Sequence, residues 1–194
     1  MVNRLTTAAP LLMVAMLAAL TYWLDQIAQP APVVADKASR HDPDYIVDKL
    51  SAISMNESGA AAYTLSAARM LHYPDDDTTL MTQPQLVSYS SENAPVTITS
   101  NEALVSANGE HVYFRDNVKV TRAADVKNSE MVMRTAFLHV IPDDKIARTD
   151  RPVTITDAAT TVTAVGLEFN SETHVMKLFS NVRGTYDPGK VPPR

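Results

Sequence analysis

Two histidines beside aspartate clusters are the residues of this sequence best placed to do chemistry. His72 precedes three aspartates at 75–77, and His139 precedes two at 143–144. One imidazole with two or three carboxylates could supply ligands to a divalent cation. However, neither cluster has a second histidine at ligand spacing, and the Pro-Asp-Asp sequence in both is typical of a turn whose carboxylates accept hydrogen bonds from backbone N–H groups. We therefore expect turns here and no metal site.

The stretch ANGEHVYFRDNVKV, residues 107–120, could form a catalytic cluster from four ionisable residues: Glu110, His111, Arg115 and Asp116. Alternation with a period of two gives a different interpretation. One face of the predicted strand is apolar, with Val112, Phe114, Val118 and Val120, and the other carries His111, Tyr113, Arg115 and Lys119. The charged residues then face water, Asn108-Gly109 forms a tight turn, and Asp116-Asn117 forms a bend that preserves the alternation.

Composition argues against several classes of function. The chain has no cysteine, which excludes disulfides and thiolate chemistry, and its five glycines offer little material for a phosphate-binding loop. No hydrolase, metalloprotease or nucleotide-binding motif occurs in the sequence. A net charge of -5 without a basic run argues against nucleic acid. We expect a binding protein, not an enzyme, with no cofactor and no nucleic-acid partner.

From Tyr45 onward the apolar residues alternate in short runs, such as PVTITS, NVKVT and TTVTAV. Turn-forming sequences separate the runs at 56–59, 74–77, 108–109, 142–144 and 170–172. This pattern predicts an antiparallel all-β domain. Four similar units, each a strand, a turn and a second strand, begin at residues 68, 103, 136 and 167. Because one hairpin cannot bury its apolar face alone, the units must stack or fold over one another around a shared interior.

The N-terminal segment predicts a membrane anchor. Residues 8–24 contain no charge, with Arg4 before them and Asp25 after them. At ~1.5 Å per residue this stretch is about 25 Å long, the short end of a bilayer span. The positive charge before it predicts a cytoplasmic N terminus and an exported domain. The residues expected in the membrane include Leu11, Leu12, Leu17, Leu20, Trp23 and Leu24.

A cleaved signal peptide is the competing interpretation, with residues 11–20 as its apolar core and Val33-Val34-Ala35 as the cleavage site. The anchor fits better, because the apolar stretch continues through Leu24 and the candidate cleavage site lies well beyond it. The chain then divides into a cytoplasmic stub and transmembrane helix at 1–27, an exported linker at 28–44, an exported β domain at 45–187 and a C-terminal tail at 188–194.

Five short sequences, by their order and spacing, resemble the LptC family of lipopolysaccharide export proteins. They are YTLSA at 63–67, HYPDDD at 72–77, TQP at 82–84, AFLHV at 136–140 and NVRGTY at 181–186. The resemblance covers essentially the whole chain. It implies a single-pass protein of the cell inner membrane whose main, periplasmic domain is an open, twisted antiparallel β-jellyroll of hairpin repeats, similar to OstA and LptA.

The resemblance also implies a function in transport. Such a protein receives lipopolysaccharide from an inner-membrane ABC transporter, and its helix associates with the membrane subunits of that transporter. It passes the lipid to a periplasmic bridge protein of the same fold, LptA-like, and has no catalytic residues of its own. The sequence leaves open whether the isolated domain forms a homodimer.

An open β-jellyroll has two kinds of binding surface. Its inward apolar face can hold acyl chains without a basic patch, and its unpaired edge strands can pair with the sheet of a partner. Alternation and repeat position assign eight interior residues that line the lipid groove or support it: Leu65, Met70, Phe114, Val118, Leu138, Val140, Phe169 and Leu178. The expected partner edge is Val182, Arg183, Gly184, Thr185 and Tyr186.

Two other functions are compatible with the sequence. One is a membrane-tethered periplasmic scaffold that pairs its sheet edges with partner proteins and has no lipid ligand. The other is a soluble bridge-type protein of the same fold with a cleaved leader, whose mature chain would begin near Asp36.

Overall fold

The computed structural model of the chain describes residues 3–28, 41–56, 58–90, 94–126 and 128–187. They belong to two units, a helix α1 (Asn3–Ala28) and a β domain that begins at His41. Most of the predicted linker, the candidate cleavage site at 33–35 and the tail at 188–194 lie outside the described residues.

Helix α1 contains the predicted apolar stretch and extends it at both ends, to 26 residues. Four of the residues expected in the membrane, Leu17, Leu20, Trp23 and Leu24, have half or more of their surface exposed. The side chains of Leu11 and Leu12 lie outside the described part of the chain. No helix in the described residues combines the length and apolar character that a membrane span requires.

The predicted antiparallel all-β domain is confirmed. In the described residues eleven strands form one sheet: β1 (Tyr45–Met55), β2 (Ala61–Tyr73), β3 (Thr78–Thr82), β4 (Gln85–Ser88), β5 (Val96–Thr99), β6 (Glu102–Val105), β7 (Val112–Arg122), β8 (Met131–Ile141), β9 (Ile146–Thr156), β10 (Thr160–Asn170) and β11 (Val175–Tyr186). The four repeat units correspond to the hairpins β2–β3, β6–β7, β8–β9 and β10–β11.

The sheet closes on itself between β2 and β7. One side of β2 pairs with both β3 and β4, and one side of β7 pairs with both β5 and β6. Since β3 also pairs with β6 and β4 with β5, these six strands form a ring. Strands β8 to β11 continue the sheet from β7, so that β1 and β11 each have a single strand partner within the described chain. The domain is therefore a jellyroll with two open edges.

A bulge bends each of the long strands β7 to β11 near its middle. The pairing register shifts within 115–118, 135–139, 149–152, 163–167 and 180–183, and we call this line of bulges the crease. Left-handed backbone marks it at Asp116 (φ 57°), Asn117 (φ 54°), Gly166 (φ 82°) and Asn181 (φ 50°). Bulges increase bending and twist, so residues on both sides of the crease face one interior. The predicted bend at Asp116-Asn117 is confirmed.

The predicted turn at Asn108-Gly109 is longer than expected. Val105 and Val112 are the last paired residues, so the loop has six residues, 106–111, instead of a tight two-residue turn. Asn108 and Gly109 both have left-handed backbone, as a turn of this composition permits. The loop is held by backbone hydrogen bonds from Gly109 N–H to the Ser106 carbonyl and from Ser106 N–H to the His111 carbonyl.

Candidate functional site

The eight residues predicted for the interior all belong to one apolar core. Phe114, Val118 and Leu138 are each 1% exposed. The other five are partly buried and pack against this core: Leu65, Met70, Val140, Phe169 and Leu178. Their inward position follows from the structure, whereas their contact with lipid remains a prediction.

Seven further buried residues, outside the eight assigned from the sequence, complete the core: Ala67, Met81, Ala103, Met133, Val153, Ala164 and Leu167. Several of them are small and lie directly opposite a larger residue on the neighbouring strand, as Ala103 lies opposite Phe114 and Ala67 opposite Leu50. A small side chain opposite a large one lets the interior fill without voids. Which residues lie opposite one another depends on the pairing register of the strands, and the sequence pattern contains no direct signal for that register.

The interior is filled at its centre and uncovered beside the two edge strands. Gly184 and Tyr186 of β11 pair with the inward residues Val162 and Thr160 of β10, and alternation places Val182 on the same side. Nevertheless, Val182 and Tyr186 are 53% and 64% exposed. Tyr63, on the inward side of β2 and paired with Ser54 of β1, is 46% exposed. A ligand with apolar chains would therefore meet uncovered inward side chains next to β1 and β11.

The predicted partner edge, residues 182–186, is the C-terminal end of β11. Every residue in it is exposed, and β10 is its only strand partner within the described residues. This location leaves backbone donors and acceptors available for strand addition, as expected. Binding of a partner there remains a prediction.

The His72 cluster contains ion pairs that the sequence did not reveal. His72 Nδ1 lies 2.8 Å from Asp44 Oδ1, and its Nε2 lies 3.0 Å from Asp77 Oδ1. The hydrogen bond with Asp44, followed by that with Asp77, raises the pKa of His72. The predicted turn is confirmed at Asp76, which accepts hydrogen bonds from the N–H and hydroxyl of Thr78.

A second histidine does join this turn, from 34 positions away in the sequence. His41 Nδ1 lies 3.0 Å from Asp75 Oδ2, and the His41 ring stacks on Tyr73. His41, Asp75 and Asp76 bring ligand-type atoms within 4.8 Å of one another. All three residues are exposed, and the His41–Asp75 ion pair accounts for the arrangement, so it does not by itself indicate a metal site.

His139 lies in β8, outside the Pro142–Lys145 turn, and faces outward although it is only 8% exposed. Tyr113 stacks on its ring, and its Nδ1 accepts a hydrogen bond from Arg148 Nε at 3.2 Å. Its Nε2 lies 3.2 Å from His111 Nδ1. Burial, and then the charges of Arg148 and His111, lower the pKa of His139. The sequence did not predict the burial of this outward-facing histidine.

Comparisons with known proteins agree with this architecture. The family model described as lipopolysaccharide-assembly, LptC-related, matches residues 11–187. The crystal structure of LptH, the LptA homologous periplasmic component of the conserved lipopolysaccharide transport device from Pseudomonas aeruginosa, is similar with a TM-score of 0.52 and 7% identity, over 65% of this chain and 95% of that chain. At this identity the likeness concerns the fold alone. No curated protein matches significantly. Because the family match includes most of α1 and the whole described β domain, the chain belongs to the LptC family of lipopolysaccharide-assembly proteins.

Proposed function

We propose that the protein is a membrane-anchored periplasmic component of lipopolysaccharide transport. It receives lipopolysaccharide from an inner-membrane ABC transporter and passes it to an LptA-like bridge protein of the same fold. Membership of the LptC family supports a role in lipopolysaccharide transport. The observation that carries the proposed lipid contact is the continuous apolar interior, which is filled at its centre and uncovered beside β1 and β11.

The interior suits acyl chains because they bring no polar groups that need partners. Each methylene removed from water contributes about 0.8 kcal/mol, so an apolar face alone can hold a lipid without a basic patch. The partly buried residues Leu65, Phe169 and Leu178 are the ones we expect to contact acyl chains first. Phe114, Val118 and Leu138 are already fully packed and support the groove from behind.

The edge strands suit protein partners. β1 and β11 carry most of the large exposed apolar side chains of the β domain: Tyr45, Ile46, Ile53 and Met55 on β1, and Val175, Phe179, Val182 and Tyr186 on β11. An unpaired strand with apolar side chains is a template for strand addition. We propose that the bridge protein binds at residues 182–186.

The proposed anchor is α1, whose exposed apolar side chains suit lipid or the membrane subunits of the transporter. Alkaline carbonate extraction of membranes tests this assignment. The anchored protein stays in the membrane pellet with residue 1 or 2 as its N terminus. Release into the supernatant as a chain that begins near Asp36 would instead support the soluble, bridge-type alternative.

Co-purification tests the function as a whole. The full chain is purified from detergent-solubilised membranes, and both the accompanying proteins and the extracted lipid are identified by mass spectrometry. The proposal predicts lipopolysaccharide together with the transporter subunits and the bridge protein. The same proteins without lipopolysaccharide would support the scaffold alternative.

A further inference from the structure

A trough of about 380 Å³ lies at the crease, on the outward face of the sheet. It is lined by Phe137, His139, Arg148, Thr149, Asp150, Glu168 and Phe179. Most of these side chains alternate with core residues, as Phe137 and His139 flank Leu138 and Glu168 follows Leu167. The trough is therefore separate from the inward face to which we assign acyl chains.

Two phenylalanines form the aromatic walls of the trough. Phe137 lies on β8 and Phe179 on β11, with β9 and β10 between them, a separation of about 14 Å at ~4.8 Å per strand. Phe179 is 61% exposed and lies over Gly166, where a Cβ would stand 2.8 Å from Phe179 Cδ2. The glycine thus leaves room for an aromatic ring that remains available to a ligand.

The floor of the trough combines a positioned donor with two acceptors. His139 accepts a hydrogen bond from Arg148 Nε at 3.2 Å, which orients the guanidinium group. The terminal guanidinium nitrogens have no partner among the described residues, so they can donate elsewhere. Asp150 and Glu168 have ion-pair partners in Arg151 (3.4 Å) and Lys177 (3.1 Å), and both carboxylates keep exposed surface for further hydrogen bonds.

We propose that this trough binds a saccharide. A pyranose ring has an apolar C–H face, which packs on an aromatic ring, and a rim of hydroxyl groups that donate and accept hydrogen bonds. Phe137 and Phe179 supply the aromatic faces, Arg148 a donor, and the two carboxylates acceptors. An acyl chain bound here would remove water from these charged groups and offer them no hydrogen-bond partner in its place. A simple anion would meet the negative charges of Asp150 and Glu168.

The saccharide has two sources that this chemistry does not distinguish: the sugar part of lipopolysaccharide, or a cell-wall glycan. The first source rests on the proposed function. Leu178 packs against the core and its neighbour Phe179 lines the trough, both on the edge strand β11. One amphiphile could therefore straddle this edge, with acyl chains on the inward face and sugar on the outward face.

Saturation-transfer NMR on the full-length protein in detergent tests the proposal with two lipid-free probes, deacylated lipopolysaccharide oligosaccharide and a peptidoglycan disaccharide fragment. We expect saturation transfer to the sugar C–H groups of one probe, which identifies the source. Phe179→Ala and Asp150→Asn should each weaken binding about tenfold or more. Tyr89→Ala, which removes another exposed aromatic side chain, should leave binding unchanged.

Absence of transfer to both probes, or binding that Phe179→Ala leaves intact, would overturn the saccharide site. Thermal unfolding of each variant shows whether a loss of binding reflects unfolding, and Asp150→Asn provides a second variant at an exposed position. Because both probes lack acyl chains, the outcome is independent of lipid loading. A protein that carries lipopolysaccharide but binds neither probe refutes the trough alone, and one that binds a probe but carries no lipid refutes the proposed function alone.

Discussion

At the residue scale, the interior combines large and small side chains across paired strands. Phe114 stands in register with Ala103 on one side and Leu138 on the other, and Val153 stands opposite Ala164. Side chains of complementary size interdigitate at the density of a protein core. Phe114 is therefore a structural support of the groove as well as part of its inward face.

Phe114→Ala should destabilise the protein by about 3 to 5 kcal/mol, because it leaves a cavity in a filled core. Phe179→Ala removes the same atoms from an exposed ring, so its cost should stay within about 1 kcal/mol. Urea denaturation of the full-length variants measures both values. Equal losses would contradict the assignment of the two phenylalanines to the inward and outward faces.

Gly166 combines a left-handed backbone with the close approach of Phe179, whereas a Cβ added at Gly109 (φ 72°) would meet no heavy atom within 4 Å. Gly109→Ala should therefore cost about 1 kcal/mol, from backbone strain alone. Gly166→Ala should cost clearly more, and the double change Gly166→Ala with Phe179→Ala should recover the steric part. Denaturant midpoints measure this cycle. Equal effects of the two glycine substitutions would show that the ring contact is unimportant.

The sequence predicted the large interior residues better than their partners. Val112, Phe114, Val118 and Val120 alternate visibly, so their common face could be predicted from β7 alone. Ala67, Ala103 and Ala164 could not, because a short side chain gives a weak hydrophobic signal and its burial depends on which strand lies opposite. The same reason hid the burial of His139, which depends on Tyr113 and Arg148 of neighbouring strands.

At the scale of the elements, two histidine-aspartate pairs fasten the start of β1 to the β2–β3 turn. The HYPDDD sequence predicted the turn, but Asp44 and His41 lie 28 and 34 positions from their partners, so no local pattern could reveal them. Tyr45 stacks on His72, and Asp44 N–H donates to the His72 carbonyl. We call residues 41–45 with this turn the clamp.

The clamp should weaken as pH rises. Hydrogen bonds to Asp75 and Asp44 raise the pKa of His41 and His72 above 6.5. The stabilisation that these two histidines give to the folded protein is therefore fully present below pH 6.5. It is lost as the pH rises through their raised pKa values. His41 lowers the pKa of Asp75 below 3.8, so that carboxylate contributes above 3.8 and loses its contribution as pH falls through the lowered value. The His41–Asp75 ion pair therefore contributes in full between pH 3.8 and pH 6.5.

NMR titration of the histidine rings checks these directions. His41 and His72 should titrate above 6.5 and His139 below it, and amide protection at 44–48, corrected for intrinsic exchange, should fall as His72 deprotonates. His72→Ala should reduce this pH dependence to the part that comes from the His41–Asp75 pair, while His174→Ala in the β10–β11 turn should preserve it. If amide protection at 44–48 does not change as His72 titrates, the clamp is refuted.

The open edge of β11 allows a test of the partner assignment. Val182→Asp places a charge within residues 182–186 and should weaken binding of the bridge protein about tenfold or more, because the apolar edge contact is lost. Val175→Asp, a matched change of an exposed valine at the other end of β11, should have little effect. Pull-down with the purified bridge protein measures both. Similar losses for both variants would contradict a contact confined to 182–186.

At the scale of the whole molecule, the repeat pattern predicted hairpins around a shared interior but not how the sheet closes. β3, β4, β5 and β6 have only four or five residues each. Runs this short barely establish an alternating pattern, and their shared pairing with β2 and β7 depends on contacts distant in sequence. The jellyroll with two open edges could therefore be predicted from the resemblance to a family, but not from periodicity alone.

The central claim is that the inward face holds the lipid, and site-specific photo-crosslinking tests it most directly. Photoreactive residues are placed at Leu65 and Leu178, which pack against the core, and at Ser66 and Thr163, which alternate with core residues and face outward. After transport in cells, lipopolysaccharide adducts are detected by immunoblot. We predict adducts at Leu65 and Leu178 and none at Ser66 or Thr163. Adducts at the outward positions without adducts at the inward ones would contradict the claim.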